Sequence, residues 1–327
     1  MINEYNFNKE GYLNSLKNEV ETIENSIDYK YNNDGILHKK NSKERPKRLE
    51  QDEYEKVGNY VLKYIQYKIL SEYDLLPMFI PINPEKDNKN LKNYLDPDNE
   101  IPQCQIYCSE DFFTNPKCLI IIQGTGAVRI GIWSRQICIN DCIEHGSMIS
   151  YIKTAKEKKY SLIILNPNER NDDNKDKNKI IKEFPTMEKH CNYVYNNIIK
   201  NNDKIEEIYI VAHSMGGYCT VDILKQNKDD LLNGKIKKIA FTDSVHGNHY
   251  KILDENCINV FKKISRNYVT SDEKVGKLIL DRNNSDDGVD NYSSGHIRHE
   301  YTSSFALLEV FKWFEKKEEK NDSKCII

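Results

Sequence analysis

The feature that most constrains the fold is an alternation of short apolar runs with helical segments, beginning near Cys118. The apolar runs are CLIIIQ (118–123), SLIILN (161–166), EIYIVA (207–212), KKIAFT (237–242) and NYVTS (267–271). Helical patterns lie between and after them, at about 133–156, 180–200, 215–227, 250–264 and 303–318. Continuously apolar strands separated by helices are typical of a parallel sheet that is covered on both faces. The sequence therefore predicts an α/β fold, a three-layer sandwich with a mostly parallel central sheet and helices on both faces.

The chain is predicted to consist of three regions. Residues 1–115 form a polar N-terminal region that packs on the core or is continuous with it, residues 116–320 form the α/β core, and residues 321–327 form a polar tail. A chain of 327 residues is long enough to bury a sizeable core.

Within the N-terminal region, helices are predicted at about 14–27 and 51–72. The prolines of LLPMFIPINP (75–84) predict an extended, irregular segment. The run at 38–48, HKKNSKERPKR, holds six basic residues and one acid, which suits either a nuclear-import signal or a solvated linker. The polar segment at 168–179 is interpreted as a disordered loop, because a polar tract buries too little apolar surface to fold.

Composition and cysteine spacing exclude several classes of function. The net charge of −3 does not indicate nucleic-acid binding, and no direct nucleic-acid motif is present. The nine cysteines are scattered, and the pairs Cys104/Cys108 and Cys138/Cys142 lack the two-residue gap of a zinc knuckle or a redox motif. We therefore expect reduced thiols, and neither a metal nor a cofactor.

The targeting signals favour a protein that is not secreted and not anchored in a membrane. MINEYNFNKEGY is polar and has no apolar signal segment, and the longest apolar runs have the length of strands. Cys325 is third from the end of the sequence, whereas prenylation requires a cysteine at the fourth position. The expected location is the nucleus, the cytoplasm or both.

The stretch IYIVAHSMGGYCTVDIL (208–224) carries the strongest chemical signal. Ser214 stands where an apolar strand passes into a helix, with Ala212 two residues before it and Gly216 two residues after it. This is a variant of the G-x-S-x-G nucleophile elbow, in which a tight turn needs small neighbours and exposes the serine above the sheet. A serine that merely caps the helix is the alternative. The pattern predicts that Ser214 is a nucleophile.

A serine nucleophile needs a base, and four histidines follow Ser214 in the sequence. His246 and His249 come directly after the next strand, which is early for the base. His299 lies in GHIRHEYTSS, just before the last helix, where the base of a Ser–acid–His order is expected. We therefore rank His299 first and His296 second.

The acid has two candidate positions. Asp272 and Glu273 follow the strand NYVTS, and strand counting favours this later position. Asp243 ends the preceding strand and lies at the carboxyl edge of the sheet, where ligands bind in open α/β folds. Glu273 and Asp243 both remain candidates.

An oxyanion hole needs backbone N–H groups that point at developing negative charge. Met215 follows the nucleophile and supplies one of them. Gly124 and Thr125, in the loop after the strand LIII, are candidates for the other. Arg129 and Arg135 follow in the chain, and either they face the pocket and bind an anion or they are solvated on a helix face.

Six sequence blocks are distinctive when taken together: TNPKCLIIIQGTGAVRIGIWSRQICIND, LIILNPNE, VAHSMGGYC, AFTDSVH, NYVTSDE and RHEYTSSFALLEVFKWF. In their residues, order and spacing they resemble the Arb-two family (argonaute-binding protein two and its animal cotranscriptional-regulator relatives). The resemblance extends over nearly the whole chain.

The resemblance implies an α/β-hydrolase-type fold, with Ser214 at the nucleophile position, Asp243 in the TDSVH block, Glu273 in TSDE and His299 in RHE. It also implies partners among argonaute or chromatin-associated proteins and a nuclear role in gene silencing, heterochromatin or cotranscriptional regulation. The animal relatives carry a long basic insert after LNPNE, which this chain lacks, so an import signal would fall to residues 38–48.

Two hypotheses follow. In the first, which the resemblance favours, the protein is an adaptor in argonaute-linked gene silencing, chromatin or cotranscriptional regulation. In the second, which the residues themselves favour, it is a serine hydrolase of the carboxylesterase type that acts on a small ester through an acyl-enzyme at Ser214. Fold alone does not decide between them.

Overall fold

The computed structural model of the protein describes residues 7–98, 100–172, 176–280 and 287–316. The predicted polar tail at 321–327, with Cys325, lies outside these residues.

The helices of the described chain are α1 (Lys9–Asn25), α2 (Gln51–Glu72), α3 (Arg135–Asn140), α4 (Ile143–Gly146), α5 (Ile149–Glu157), α6 (Met187–Val194), α7 (Met215–Gln226), α8 (Lys228–Leu232), α9 (Glu255–Ile264) and α10 (Thr302–Glu315). The strands are β1 (Tyr29–Tyr31), β2 (Leu37–Lys39), β3 (Leu75–Ile80), β4 (Cys104–Ser109), β5 (Lys117–Ile122), β6 (Ser161–Ile164), β7 (Asn171–Asp172), β8 (Asp176–Ile180), β9 (Glu207–His213), β10 (Ile236–Thr242), β11 (Ser265–Val269) and β12 (Asp290–Ser293).

The central sheet has eight strands in the described part of the chain, in the order β12-β11-β10-β9-β5-β6-β4-β3. Six neighbouring strands of this sheet, β12, β11, β10, β9, β5 and β6, pair in parallel. β4 is antiparallel to both of its neighbours, β6 and β3. Nearly every residue of β5 and β9 is buried. Because successive side chains point to opposite faces, both faces of the sheet must be covered. The predicted three-layer α/β sandwich is confirmed.

The sheet extends into the N-terminal region, where the sequence predicted an irregular segment. Residues 75–80 form β3, which pairs with β4 in an antiparallel register that sets Pro77 opposite Tyr107. β3 is the edge strand of the sheet, and an edge strand tolerates a proline because one of its sides needs no N–H donors. The prolines therefore mark an edge strand rather than an absence of strand.

The helical pattern predicted at 133–156 is divided into α3, α4 and α5. The break between α4 and α5 follows from close packing, because a Cβ on Gly146 would lie 2.5 Å from the backbone nitrogen of Cys138. The carbonyl of Gly146 also accepts the backbone N–H groups of Trp133 (2.8 Å) and Ser134 (3.0 Å), which ends α4 there. The segment 168–179, predicted as a loop, contains strand instead, because β7 pairs with β8 in antiparallel register.

The hydrophobic core is continuous on both sides of the sheet, and α1 and α2 pack on the same cluster. Over the described residues, the helices are all too short or too polar to cross a bilayer.

Candidate active site

Ser214 occupies the turn between β9 and α7, in the strand–turn–helix arrangement that its sequence pattern predicts. Its φ angle is 51°, a left-handed conformation that a residue with a side chain seldom adopts. Its N–H donates to the carbonyl of Thr242 on β10 (3.1 Å), and its carbonyl accepts the N–H groups of Gly217 (3.1 Å) and Val245 (3.2 Å). Ser214 is only partly buried, so the turn presents its hydroxyl at the carboxyl edge of the sheet.

The glycines around Ser214 are there because neighbouring atoms leave no room for a side chain. A Cβ on Gly216 would lie 2.6 Å from the carbonyl oxygen of Ile122, and one on Gly217 would overlap the side chain of Ser244. A Cβ on Gly124 would lie 2.9 Å from the Cβ of Ser214. The loop after β5 therefore lies directly against the serine.

Asp243 and His299 form a hydrogen-bonded pair beside this turn. The Nδ1 atom of His299 lies 2.7 Å from Oδ2 of Asp243, to which it donates. Asp243 follows β10 directly, with a φ angle of 45°, and its N–H donates to the carbonyl of Tyr268 (2.8 Å). The carboxylate is mostly buried and the imidazole is partly exposed, with side-chain exposures of 11% and 43%. A carboxylate on Nδ1 fixes the tautomer, so Nε2 is the ring nitrogen suited to accept a proton.

The other candidate acid lies elsewhere. Glu273 and Asp272 are exposed, and the carboxylate of Glu273 pairs with Lys277 at 2.7 Å. Of the two acid positions that the sequence left open, the structure brings Asp243 to His299.

The remaining candidate histidines have other neighbours. The ring of His296 packs on Tyr301, with a centroid distance of 4.3 Å. His246 is fully buried and stacks on Phe241 at 4.2 Å. His249 stacks on a tyrosine of α7, at a centroid distance of 3.5 Å.

His213, which the sequence reading did not single out, supports the pair. Its ring centroid lies 4.6 Å from that of His299, and its Nδ1 is 2.9 Å from the carbonyl oxygen of Thr242. Burial, followed by the charge of His299, lowers the pKa of His213 to about 4. A neutral ring at this position does not repel a protonated His299. In the sequence, the position of His213 directly before Ser214 is the signal that could have indicated this role.

The predicted oxyanion residues lie on two segments that meet at Ser214. Met215 is the first residue of α7, and Gly124 abuts the serine as described. Thr125 is exposed at the tip of the loop, next to Gly126, whose φ angle is 122°.

The two arginines proposed as anion contacts are both engaged in the structure. Arg135 forms two hydrogen bonds to the carboxylate of Glu55 on α2 (2.8 and 3.0 Å) and lies 4.6 Å from the ring centre of Tyr54. The guanidinium of Arg129 donates to the carbonyl of Val128 (3.1 Å). Because Arg135 is directed toward α2, it is not retained as an anion contact.

A group of possible metal ligands, Asp141, Cys142 and His145, lies at the start of α4, with ligand atoms within 4.8 Å of one another. The carboxylate of Asp141 already accepts a hydrogen bond from Nδ1 of His145 (2.7 Å) and faces Arg45 at 3.7 Å. These contacts account for the group as an ion-pair cluster, and we assign no metal to it.

The described residues form an eight-stranded, mostly parallel sheet with a serine on a strand-to-helix turn. A histidine hydrogen-bonded to a carboxylate lies just before α10. These features define an α/β-hydrolase-type fold whose candidate site lies at the carboxyl edge of the strands. The Arb2 domain family model matches residues 4–275. The chain therefore belongs to the Arb2 domain family.

Its relatives include proteins named for cotranscriptional regulation. The chain is 33% identical to a "Cotranscriptional regulator ARB2A homolog" of Dictyostelium discoideum, with 87% of this chain and 77% of that protein covered. It is 27% identical to "Cotranscriptional regulator ARB2A" of Homo sapiens, with 98% and 80% covered. Among solved structures, a histone deacetylase from Saccharomyces cerevisiae aligns with 79% of this chain and 96% of its own, at 13% identity and a TM-score of 0.49.

Proposed function

We propose that the protein is a serine hydrolase of the carboxylesterase type, which acts through an acyl-enzyme on Ser214. The observation that supports this most strongly is the 2.7 Å hydrogen bond from His299 Nδ1 to Asp243, beside a serine in the strained turn that exposes a nucleophile. Such a bond orients the imidazole and stabilises its protonated form.

In the proposed reaction, Nε2 of His299 takes the proton from the hydroxyl of Ser214 as its Oγ attacks the ester carbonyl carbon. The tetrahedral intermediate collapses, and the alcohol leaves with the proton from His299. A water molecule, deprotonated by the same nitrogen, then attacks the acyl-enzyme, and the acid is released as Ser214 recovers its proton. Backbone N–H groups of Met215 and of Gly124 or Thr125 would bind the negative oxygen of both intermediates.

The surroundings of the site favour an ester with apolar substituents. The side chain of Val245, whose N–H is bound to the Ser214 carbonyl, is 53% exposed. Ile297, two residues before His299, is 69% exposed. Exposed apolar residues so close in the chain to Asp243 and His299 provide surface that a hydrophobic ligand can cover.

The test is hydrolysis of a small aryl ester by purified protein. Wild-type protein is expected to turn over the ester, whereas Ser214→Ala is expected to reduce the rate to background with an unchanged unfolding transition. Ser304→Ala is a matched control, because its hydroxyl only donates to the backbone carbonyl of Tyr301 (3.0 Å). Equal rates for wild type and Ser214→Ala would contradict the proposal.

The family supports a second role, as an adaptor in gene silencing, chromatin or cotranscriptional regulation. The supporting observation is that relatives called cotranscriptional regulators align over 87% and 98% of this chain. On this basis we infer nuclear partners of the argonaute or chromatin-associated kind, with the basic run at 38–48 as the import signal.

The adaptor role is tested by affinity purification of wild-type protein and of Ser214→Ala from nuclear extract. Recovery of the same argonaute or chromatin proteins by both would separate assembly from catalysis. Absence of such proteins from both samples would argue against the adaptor role.

A further inference from the structure

The block LNPNE (165–169) takes no part in the Ser–Asp–His arrangement, although it is among the most distinctive in the sequence. It follows β6 directly and contacts the loop at residues 123–130, which we call the oxyanion loop. We propose that Asn166 and Asn168 are positioning residues that clamp the oxyanion loop against Ser214. The catalytic part of this inference rests on the proposed hydrolase function.

Asn168 holds the loop at two points. Its side-chain amide donates to the carbonyl oxygen of Gly124 (2.8 Å) and to that of Val128 (3.2 Å). Gly124 is the residue that abuts Ser214, since a Cβ there would lie 2.9 Å from the serine Cβ. Both bonds connect the loop to a residue at least 40 positions away in the sequence, so they are tertiary contacts rather than part of a local turn.

Asn166 holds the two ends of the loop to the sheet. Its side chain is fully buried, and its Oδ1 accepts the N–H of Ile130 (3.1 Å) and the side-chain amide of Gln123 (3.4 Å). Its own amide donates to the carbonyl of Gln105 on β4 (3.1 Å) and to the carboxylate of Glu169. One side chain thus ties the start and the end of the loop to the neighbouring strand.

Asn166 is itself fixed by a neutral histidine. Its backbone N–H donates to Nε2 of His190 (3.1 Å), which must be unprotonated to accept. Complete burial keeps the pKa of His190 low, at about 3, so this acceptor persists at neutral pH.

The loop needs such a clamp because its tip, at residues 125–127, is exposed. Thr125 is exposed, and a Cβ on Gly126 would meet no atom within 4 Å. Backbone donors stabilise a developing oxyanion only when they are held in place before the reaction begins. The two asparagines supply that order through their hydrogen bonds to the loop.

The experiment compares Asn168→Asp with wild type in two measurements: the second-order rate of labelling by a fluorophosphonate, whose phosphoryl oxygen gains charge as it reacts, and amide hydrogen exchange across 124–130. Aspartate has the shape of asparagine, but its carboxylate cannot donate a hydrogen bond and would face the carbonyl oxygens of Gly124 and Val128. We expect labelling to be roughly 10- to 100-fold slower and exchange in the loop to be faster. Asn168→Gln, which keeps an amide donor, should recover part of the rate.

Asn197→Asp is the matched control, because that side-chain amide donates to the carbonyl of Tyr193 (2.9 Å) and lies on another segment. It should leave the labelling rate and loop exchange at wild-type values. Wild-type exchange in the loop of Asn168→Asp would overturn the clamp, and faster exchange with an unchanged labelling rate would overturn its role in positioning. If wild-type protein does not react at all, both the hydrolase function and the positioning role are contradicted. Amide hydrogen exchange in the loop, compared between wild type and Asn168→Asp, then decides whether the clamp exists.

Discussion

Lowering the pH should destabilise the protein through two buried histidines next to the candidate site. Burial lowers the pKa of His213 to about 4 and that of His190 to about 3, from an ordinary value of 6.5. Below 6.5 the unfolded chain binds protons at both positions while the folded chain does not. The free energy of unfolding is therefore unaffected by these groups above 6.5, and it falls as the pH drops from 6.5 toward 4 for His213 and toward 3 for His190.

The size of the effect follows from those values. Each pKa unit corresponds to about 1.4 kcal/mol, so protonation of the unfolded chain costs about 2 kcal/mol of stability per histidine between about pH 7.5 and about pH 5. Together the two histidines account for about 4 kcal/mol, which is a large part of a typical folding free energy of about 5–15 kcal/mol.

The assay is urea unfolding at both pH values for wild type, His213→Asn and His190→Gln. These substitutions keep a donor near Nδ1 of His213 and an acceptor near Nε2 of His190, while they remove the titrating group. Each variant should lose about 2 kcal/mol less than wild type when the pH is lowered. If both variants lose as much stability as wild type when the pH is lowered, protonation of these two histidines does not cause the loss.

Two other substitutions test the site and its turn. Asp243→Asn should lower the rate of ester hydrolysis by roughly 10⁴-fold at unchanged stability, whereas Glu273→Gln should retain the wild-type rate. If steady-state assays show the reverse order, Glu273 is the acid. Gly216→Ala should lower the free energy of unfolding by about 1–3 kcal/mol, because the new Cβ would lie 2.6 Å from the carbonyl oxygen of Ile122. A urea midpoint equal to that of wild type would show that the turn has room for a side chain.

The apolar runs predicted β5, β6, β9, β10 and β11, because a strand buried on both faces must be continuously apolar. The parallel strand β12 was missed, because its sequence DNYS is polar. β5 and β9 correspond to the predicted runs within a residue or two. β3 was missed because its prolines resemble a loop signal, and an edge strand is the exception to that rule. The division of 133–156 was missed because it depends on the tight packing of Gly146 on α3, a tertiary contact that leaves no periodic pattern.

The sequence identified Ser214 and His299 as candidates from their positions relative to strands and helices. It could not choose between Asp243 and Glu273, because both follow a strand at the same edge and their distance from His299 depends on the path of two loops. The roles of His213, Asn166 and Asn168 were equally hidden, since they depend on contacts between segments far apart in the chain.

Covalent labelling measures whether Ser214 is a working nucleophile. Purified protein is treated with a fluorophosphonate, its intact mass is recorded, and the modified peptide is sequenced. We expect one adduct, located on Ser214, which is absent from Ser214→Ala and strongly reduced in Asp243→Asn. A folded wild-type protein that gains no adduct, or one whose adduct lies on another residue, would contradict this role of Ser214.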